Sequence, residues 1–368
     1  MQFIIQREAL LKPLQLVTGV VERKHTMPVL SNILLVLQDG QLSLTGSDTE
    51  VELIGRVAVD DAAAEDGEIT VPGRKLMDIC KNLPSESMIS LRLQDQKLLI
   101  SSGRSRFTLT TLPADDFPVF DEIEQSFSFS INQGNLRYLV ERTSFAMAQQ
   151  DVRYFLNGML LEASTGQLRA VATDGHRLAL CDVEANIDET EPHQVILPRK
   201  GVLELARLTD NEQEDARVVL GGNFVRIEAP DFIFTSKLID GKFPDYQRVL
   251  PRGGDKTILL QRSSFKEALG RASILTNEKY RGIRLQFETG LLKLQANNPE
   301  QETADEELEI DYSGPELEIG FNVGYLQDML NAMTANQVCL TLSDSNSSLL
   351  AREEGSEQSS YVVMPMRL

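Results

Sequence analysis

Hydrophobic and polar positions along the chain repeat one arrangement three times. Each third opens with an alternating strand, at Phe3/Ile5, Phe129/Ile131 and Ile258/Leu260. A stretch of helical period follows: Leu10, Leu14 and Val17 share one face, then Leu136, Leu139 and Val140, then Phe265, Ala268, Leu269 and Ala272. Ser263 is placed to cap the last of these helices. Paired strands come next, 33–37 with 42–45, 159–161 with 168–172, and 283–287 with 291–295, each pair joined by a turn ending in glycine. A second helix in each third is marked by Leu76, Ile79, Cys80 and Leu83, by Val202, Leu205 and Ala206, and by Leu326, Met329, Leu330 and Met333. Strands at 105–110, 232–237 and 361–366 close the units. Hairpin spacings make the sheets antiparallel and two helices cover one side, so the fold class is α+β.

Individual residues keep the same register. Phe117-Pro118 recurs as Phe243-Pro244, Leu30-Ser31-Asn32 answers to Leu156-Asn157-Gly158, Asp48 to Asp174, and Pro72 before Arg74 and Lys75 to Pro198 before Arg199 and Lys200. Agreement at four places indicates a true repeat. It divides the 368 residues into three tandem similar domains, 1–124, 125–250 and 251–368, each long enough to bury a core.

Composition adds a charge asymmetry. The chain carries net charge -19, yet the six helical segments (7–20, 72–83, 133–149, 198–209, 262–273 and 322–333) together carry +7, leaving -26 elsewhere. Only the last helix is negative. Solvated helix faces do favour Lys and Arg, but they favour Glu equally, and these helices hold few. Six basic helices on one surface would suit a phosphate backbone, with the acidic remainder facing away. Cys80, Cys181 and Cys339 are odd in number, far apart and set among apolar residues, which predicts buried free thiols in a reducing compartment. No basic leader precedes an apolar run and no stretch approaches about 18 apolar residues, so a cytosolic protein is expected.

The most enzyme-like cluster is Thr173-Asp174-Gly175-His176-Arg177. No nucleophile elbow accompanies it, and His25 and His193 make no ligand spacing with His176, so a turn after a strand is the plainer reading. A Gly-Lys-Ser/Thr phosphate loop is absent, and no cofactor or metal is expected. Residues 361–368, Tyr-Val-Val-Met-Pro-Met-Arg-Leu, are apolar and Met-rich where chain ends are usually polar. They suit either an edge strand completing the last sheet or an adaptable peptide site.

The run from Thr173 to Ala179, the segments 232–238 and 296–301, Phe243-Pro244-Asp245-Tyr246 and the Met-Pro-Met-Arg-Leu ending together resemble the bacterial sliding clamps, the beta subunits of DNA polymerase III holoenzyme. The resemblance spans the chain. It implies a ring-shaped homodimer of six similar domains, helices lining the hole and sheets outside, holding double-stranded DNA by topology and without sequence preference. It implies no enzymatic activity. A processivity factor of this kind tethers the DNA polymerase III alpha subunit, the clamp loader, other polymerases and repair proteins through short linear motifs, in the cytoplasm at the nucleoid.

Carried over residue by residue, the resemblance implies a peptide pocket of Leu156, Thr173, Gly175, His176, Arg177, Leu178, Pro244, Val249, Ser348, Val362, Met364, Pro365, Met366, Arg367 and Leu368. Only the middle repeat has the Gly-His-Arg turn and only the last has the Met-rich tail, so one chain makes one pocket. The dimer seam would set Phe107 and Leu109 against Ile274 and Leu275, flanked by basic Lys75, Arg104 and Arg106 and acidic Glu300, Glu302 and Glu306. Thr303 stands where the family pattern has another acid. Duplex contacts would be Lys24, where the family has Arg, with Gln150, Tyr154, Arg199 and Lys200. Two other readings remain: a repeat scaffold that never touches DNA, and a hydrolase using Asp174 and His176.

Overall fold

A computed structural model describes all residues except 22–26, 121–125, 189–190, 210, 252 and 368. It divides into two compact units, Met1–Leu136 with Leu203–Leu238, and Arg137–Val202 with Ile239–Leu368. Six helices are described: α1 Arg7–Val17, α2 Gly73–Asn82, α3 Gln133–Thr143, α4 Arg199–Leu208, α5 Arg262–Ala272 and α6 Val323–Ala332.

In the first unit an eight-stranded antiparallel sheet runs in spatial order Gly67–Pro72, Asn32–Gln38, Gln41–Ser47, Val51–Ala58, Phe232–Lys237, Phe224–Glu228, Asp215–Gly221 and Phe127–Asn132. The sheet passes from the first repeat to the second where Val51–Ala58 pairs with Phe232–Lys237, Val51 opposite Ser236 and Glu52 opposite Thr235. A four-stranded sheet ends at Ser105–Thr110, whose outer edge has no strand partner among the described residues.

Helix α1 buries Leu10, Pro13, Leu14 and Val17 against the large sheet. It lies so close that a Cβ on Gly46 would sit 2.5 Å from the Val17 carbonyl oxygen, and one on Gly55 would sit 2.9 Å from Pro13 Cβ. Only glycine fits at these strand positions.

The second unit repeats the plan. Its eight strands run His193–Pro198, Gly158–Ser164, Gln167–Thr173, Arg177–Glu184, Ser359–Val363, Leu349–Glu353, Gln337–Leu342 and Lys256–Gln261. Arg177–Glu184 and Ser359–Val363 join the second repeat to the third, Arg177 opposite Val363 and Leu178 opposite Val362. The four-stranded sheet is Thr303–Glu309, Leu291–Asn297, Gly282–Glu288 and Leu317–Asn322, and Thr303–Glu309 is an edge.

Three expectations change. Helix α5 begins at Arg262 after Gln261, with no side-chain cap, so Ser263 lies inside the first turn; its counterparts α3 and α6 are capped by asparagine, Asn132 Oδ1 accepting from Gly134 N at 2.9 Å, and Asn322 Oδ1 from Gly324 N at 2.9 Å and Tyr325 N at 3.3 Å. Ser359–Val363 is an interior strand and not an edge, with Tyr361, Val362 and Val363 each 1% exposed. It stops before Pro365, which has no N–H to donate. All three cysteines are free, but Cys339 is only half-buried because its strand alternates inward and outward faces.

A candidate peptide pocket and its surroundings

The residues named for the peptide pocket lie in the second unit, several of them around one turn. Strand Gln167–Thr173 must reverse into Arg177–Glu184, and Asp174 directs the reversal: its Oδ1 accepts from His176 N at 2.9 Å and Arg177 N at 3.0 Å. Thr173 Oγ1 donates to Arg177 O at 2.6 Å and accepts from Gly175 N at 3.1 Å. Gly175 has φ +88, the left-handed region that favours glycine, and the Arg153 guanidinium lies 3.0 Å from where a Cβ would stand. The Asp174 carboxylate is thus occupied by the turn.

Arg177 is fully engaged. Its Nε donates to Asp174 Oδ2 at 3.1 Å, Nη1 to Asp328 Oδ2 at 2.6 Å and Nη2 to Phe145 O at 2.8 Å. The guanidinium also lies over the rings of Tyr325 (4.6 Å) and Phe145 (5.3 Å). His176 is exposed and stacks on Tyr325 at 6.4 Å. Among the described residues no side chain hydrogen-bonds the His176 ring, and no group of His, Cys, Asp and Glu is placed to hold a metal.

Below the turn lies an apolar cluster of Leu160, Val171, Leu178, Leu180, Ile196, Phe243, Tyr246 and Val362, with Val249, Leu250 and Phe155 packed on its edge. Leu178 and Val362 are 2% and 1% exposed, and Leu156 is 2% exposed, so they form the floor and not the wall. Val249 and Ser348 border an open cleft of about 760 Å³. Pro244 borders a smaller one of about 200 Å³, and Met366 and Arg367 a third of about 470 Å³. The tail runs along this surface, Met364 N donating to His176 O at 2.9 Å and Met366 N to Gly320 O at 2.8 Å, with Pro365 half-buried between them. Leu368 lies outside the described residues. Sequence reasoning missed Tyr325, Asp328, Phe145 and Arg153. For Asp328 a signal existed, since it gives α6 the only negative helical charge.

The remaining predicted residues are placed as follows. Gln150 (φ +56) and Tyr154 (57% exposed) share one loop, Arg199 and Lys200 open α4 half-buried, and Lys24 lies outside the described residues. Phe107 is 37% and Ile274 77% exposed, Leu275 is half-buried, and Leu109 is nearly buried at 9%. Lys75, Arg104, Arg106 and Glu300 are exposed. Two of the acids already have partners in the chain: Glu302 Oε2 accepts from Asn298 Nδ2 at 2.6 Å, and Glu306 is held by Arg271 through two hydrogen bonds of 2.8 and 2.7 Å. The Arg271 guanidinium holds the Glu306 carboxyl below its ordinary range.

A triplicated α+β fold with sheets that continue from repeat to repeat defines a clamp-type architecture. Family models agree: those of the N-terminal, central and C-terminal domains of the DNA polymerase III beta subunit match residues 1–121, 130–245 and 247–367. The beta sliding clamps of Pseudomonas aeruginosa and Escherichia coli are 63% and 50% identical, each over the whole of both chains. A crystal structure of the DNA polymerase III subunit beta from P. aeruginosa superposes with a TM-score of 0.98 at 62% identity, covering both chains fully. A P. aeruginosa sliding clamp bound to griselimycin gives 0.98 at 63%, again over both chains. The chain belongs to the DNA polymerase III beta subunit family, the beta sliding clamps, and is a processivity factor and not an enzyme.

Proposed function

We propose that two copies close a ring around double-stranded DNA and that the pocket around Gly175 and Arg177 receives short apolar motifs of the polymerase III alpha subunit, the clamp loader and other polymerases and repair proteins. The observation that carries this reading is the sheet seam. It is formed twice inside the chain, and one edge strand of each kind is left over, Ser105–Thr110 and Thr303–Glu309. Transferring the register of the internal seams to these strands sets Ala304 of one copy opposite Phe107 of the other, Glu302 opposite Leu109 and Glu306 opposite Ser105. The exposed Ile274 and half-buried Leu275 would cover the apolar contact. Exposed ion pairs contribute only about 0–1 kcal/mol each, and Glu302 and Glu306 are already bonded within the chain, so apolar burial dominates closure.

Gln150, Tyr154, Arg199 and Lys200, with Lys24, are the proposed duplex contacts, weakly basic and blind to sequence. Such contacts let the ring slide. The proposed domain limits are 1–124, 125–250 and 251–368, and the proposed location is the cytoplasm at the nucleoid. The chain should be loaded on a nicked circular plasmid by a clamp loader with ATP, washed in high salt, and the plasmid then cut. Retention on the circle with loss on linearisation is expected. Loss in salt from both forms refutes topological linkage and leaves ordinary electrostatic binding.

A further inference from the structure

We propose that Arg271 closes the ring seam by donating from Nη1 to the C-terminal carbonyl of α2 in a second copy; this rests on the dimer reading above. Both seams within the chain are crossed by an arginine that reaches the C-terminal end of the facing helix, though from different helices. In the second unit Arg142, in the last turn of α3, donates from Nη1 to Ala332 O, the final carbonyl of α6. In the first unit the donor comes from the opposite helix, Arg207 of α4 donating from Nη2 to Leu16 O near the end of α1 at 2.7 Å. Each contact puts a guanidinium at the negative end of the facing helix, where unpaired carbonyls and the helix dipole favour a cation.

The repeat identifies the corresponding pair at the open seam. Leu136 of α3 aligns with Phe265 of α5, which sets Arg142 against Arg271. Leu326 of α6 aligns with Leu76 of α2, which sets Ala332 against Asn82. Hydrogen bonds confirm the second alignment: Arg262 donates to Leu330 O as Arg7 donates to Cys80 O, two residues before each final carbonyl.

Arg271 is prepared for the contact. Its Nε and Nη2 are held by Glu306, its side chain is 54% exposed, and no described residue accepts from its Nη1. On the other side Asn82 is exposed, and no described donor reaches its carbonyl, whereas Cys80 O and Lys81 O are both taken by Arg7. Glu306, which faces the helix side of its strand, thereby acts as the group that aims Arg271.

The test compares dimer dissociation of the full chain by sedimentation equilibrium for Arg271→Ala, for Lys266→Ala as a charge-matched change on the same helix, and for Ile274→Asp at the apolar contact. Arg271→Ala is expected to raise the dissociation constant about a hundredfold to ten-thousandfold, the loss of two charge-assisted hydrogen bonds, one at each of the ring's two seams, with Lys266→Ala close to the parent. Arg271→Lys, which keeps the helix and the charge but loses the fork, should lie between. If Arg271→Ala matches Lys266→Ala while Ile274→Asp gives monomers, the Arg271 contact is refuted and the dimer stands. If the parent is monomeric at micromolar concentration, the dimer reading itself falls.

Discussion

The Arg142–Glu353 pair is the place where one substitution should be most damaging. Their side chains are 5% and 7% exposed, and the guanidinium also bonds Ala332 O and Thr334 Oγ1. Burial alone would push the Glu353 carboxyl up, but the N–H groups of Ala335 and Thr334 and the Arg142 charge outweigh it, holding the carboxyl below its ordinary value. Arg142→Met strips the carboxylate of its counterion and leaves two acceptors in α6 and its following turn without a donor. Breaking a buried pair in this way costs about 3–5 kcal/mol. For a unit of this size that lowers the midpoint of thermal unfolding by roughly 6–20 °C. Calorimetry on the full chain should show the shift in the transition that includes the second unit. The double change Arg142→Met with Glu353→Met should recover most of the loss, since no uncompensated charge then remains. A single-variant shift under about 2 °C, or a double variant no better than the single, would refute the argument.

Acid should discriminate the same variant: a carboxyl with a lowered folded pKa contributes stability above the ordinary glutamate value and loses it as pH falls through the folded one, so Arg142→Met should lose less than the parent on acidification. Urea midpoints between pH 7 and pH 3 check this, and parallel losses would contradict it. Gly46→Ala, forced against the Val17 carbonyl, should cost about 1–3 kcal/mol in urea unfolding, whereas an unchanged midpoint would mean α1 can shift. Thr49 is β-branched at φ +75, so Thr49→Gly should stabilise by about 0.5–1 kcal/mol, and a loss of stability would show that its side chain matters more than its strain. Burial pushes the Cys80 and Cys181 thiols up to about 12 and about 11, so a thiol reagent at pH 8 should modify only Cys339 in the folded chain; early modification of Cys80 would contradict its burial.

Much of this fold is legible in the sequence because the repeat supplies three readings of each element. Apolar periodicity alone finds all six helices, and the glycine turns find the hairpins. What periodicity does not carry is partnership between distant strands. Nothing local marks Ser359–Val363 as the neighbour of Arg177–Glu184, and an apolar chain end reads equally as an edge or an interior strand. The pocket turn was legible as a motif, but its support was not. Tyr325, Asp328 and Phe145 reach Arg177 from other elements, and only the odd charge of α6 hints at it. Glu306 shows the converse. As one acid in an acidic strand it looks available to another copy, while Arg271, 35 residues earlier in sequence, already holds it.

One scaffold, used at both internal seams, gives an arginine-anchored turn at only one of them among the described residues, and the reason lies in three turn residues and the groups that receive them. Asp48 Oδ1 accepts from Glu50 N at 2.9 Å and Val51 N at 2.7 Å, as Asp174 Oδ1 accepts from His176 N and Arg177 N. The turn is the same, down to a left-handed second residue, Thr49 in one and Gly175 in the other. The side chains differ. Val51 is buried in its sheet, so nothing at the first seam projects a guanidinium between aromatic rings, and the apolar cluster behind Phe117 is confined to Val29, Leu30 and Leu34 with Val36 and Ala114 on its edge. At the second seam Arg177 ties the turn to α6, Gly175 leaves room for Arg153, and the larger cluster behind Phe243 reaches the surface at Val249. Turn geometry is therefore a property of the repeat, whereas the site arises from Gly-His-Arg in place of Thr-Glu-Val together with the Phe145, Tyr325 and Asp328 groups that receive the arginine. Placing Gly-His-Arg at 49–51 should not create a second pocket, because the first seam has neither the Phe145 and Tyr325 rings nor the Asp328 carboxylate to receive the arginine. A variant so built that bound two motif peptides per chain in calorimetric titration would show that the turn alone suffices.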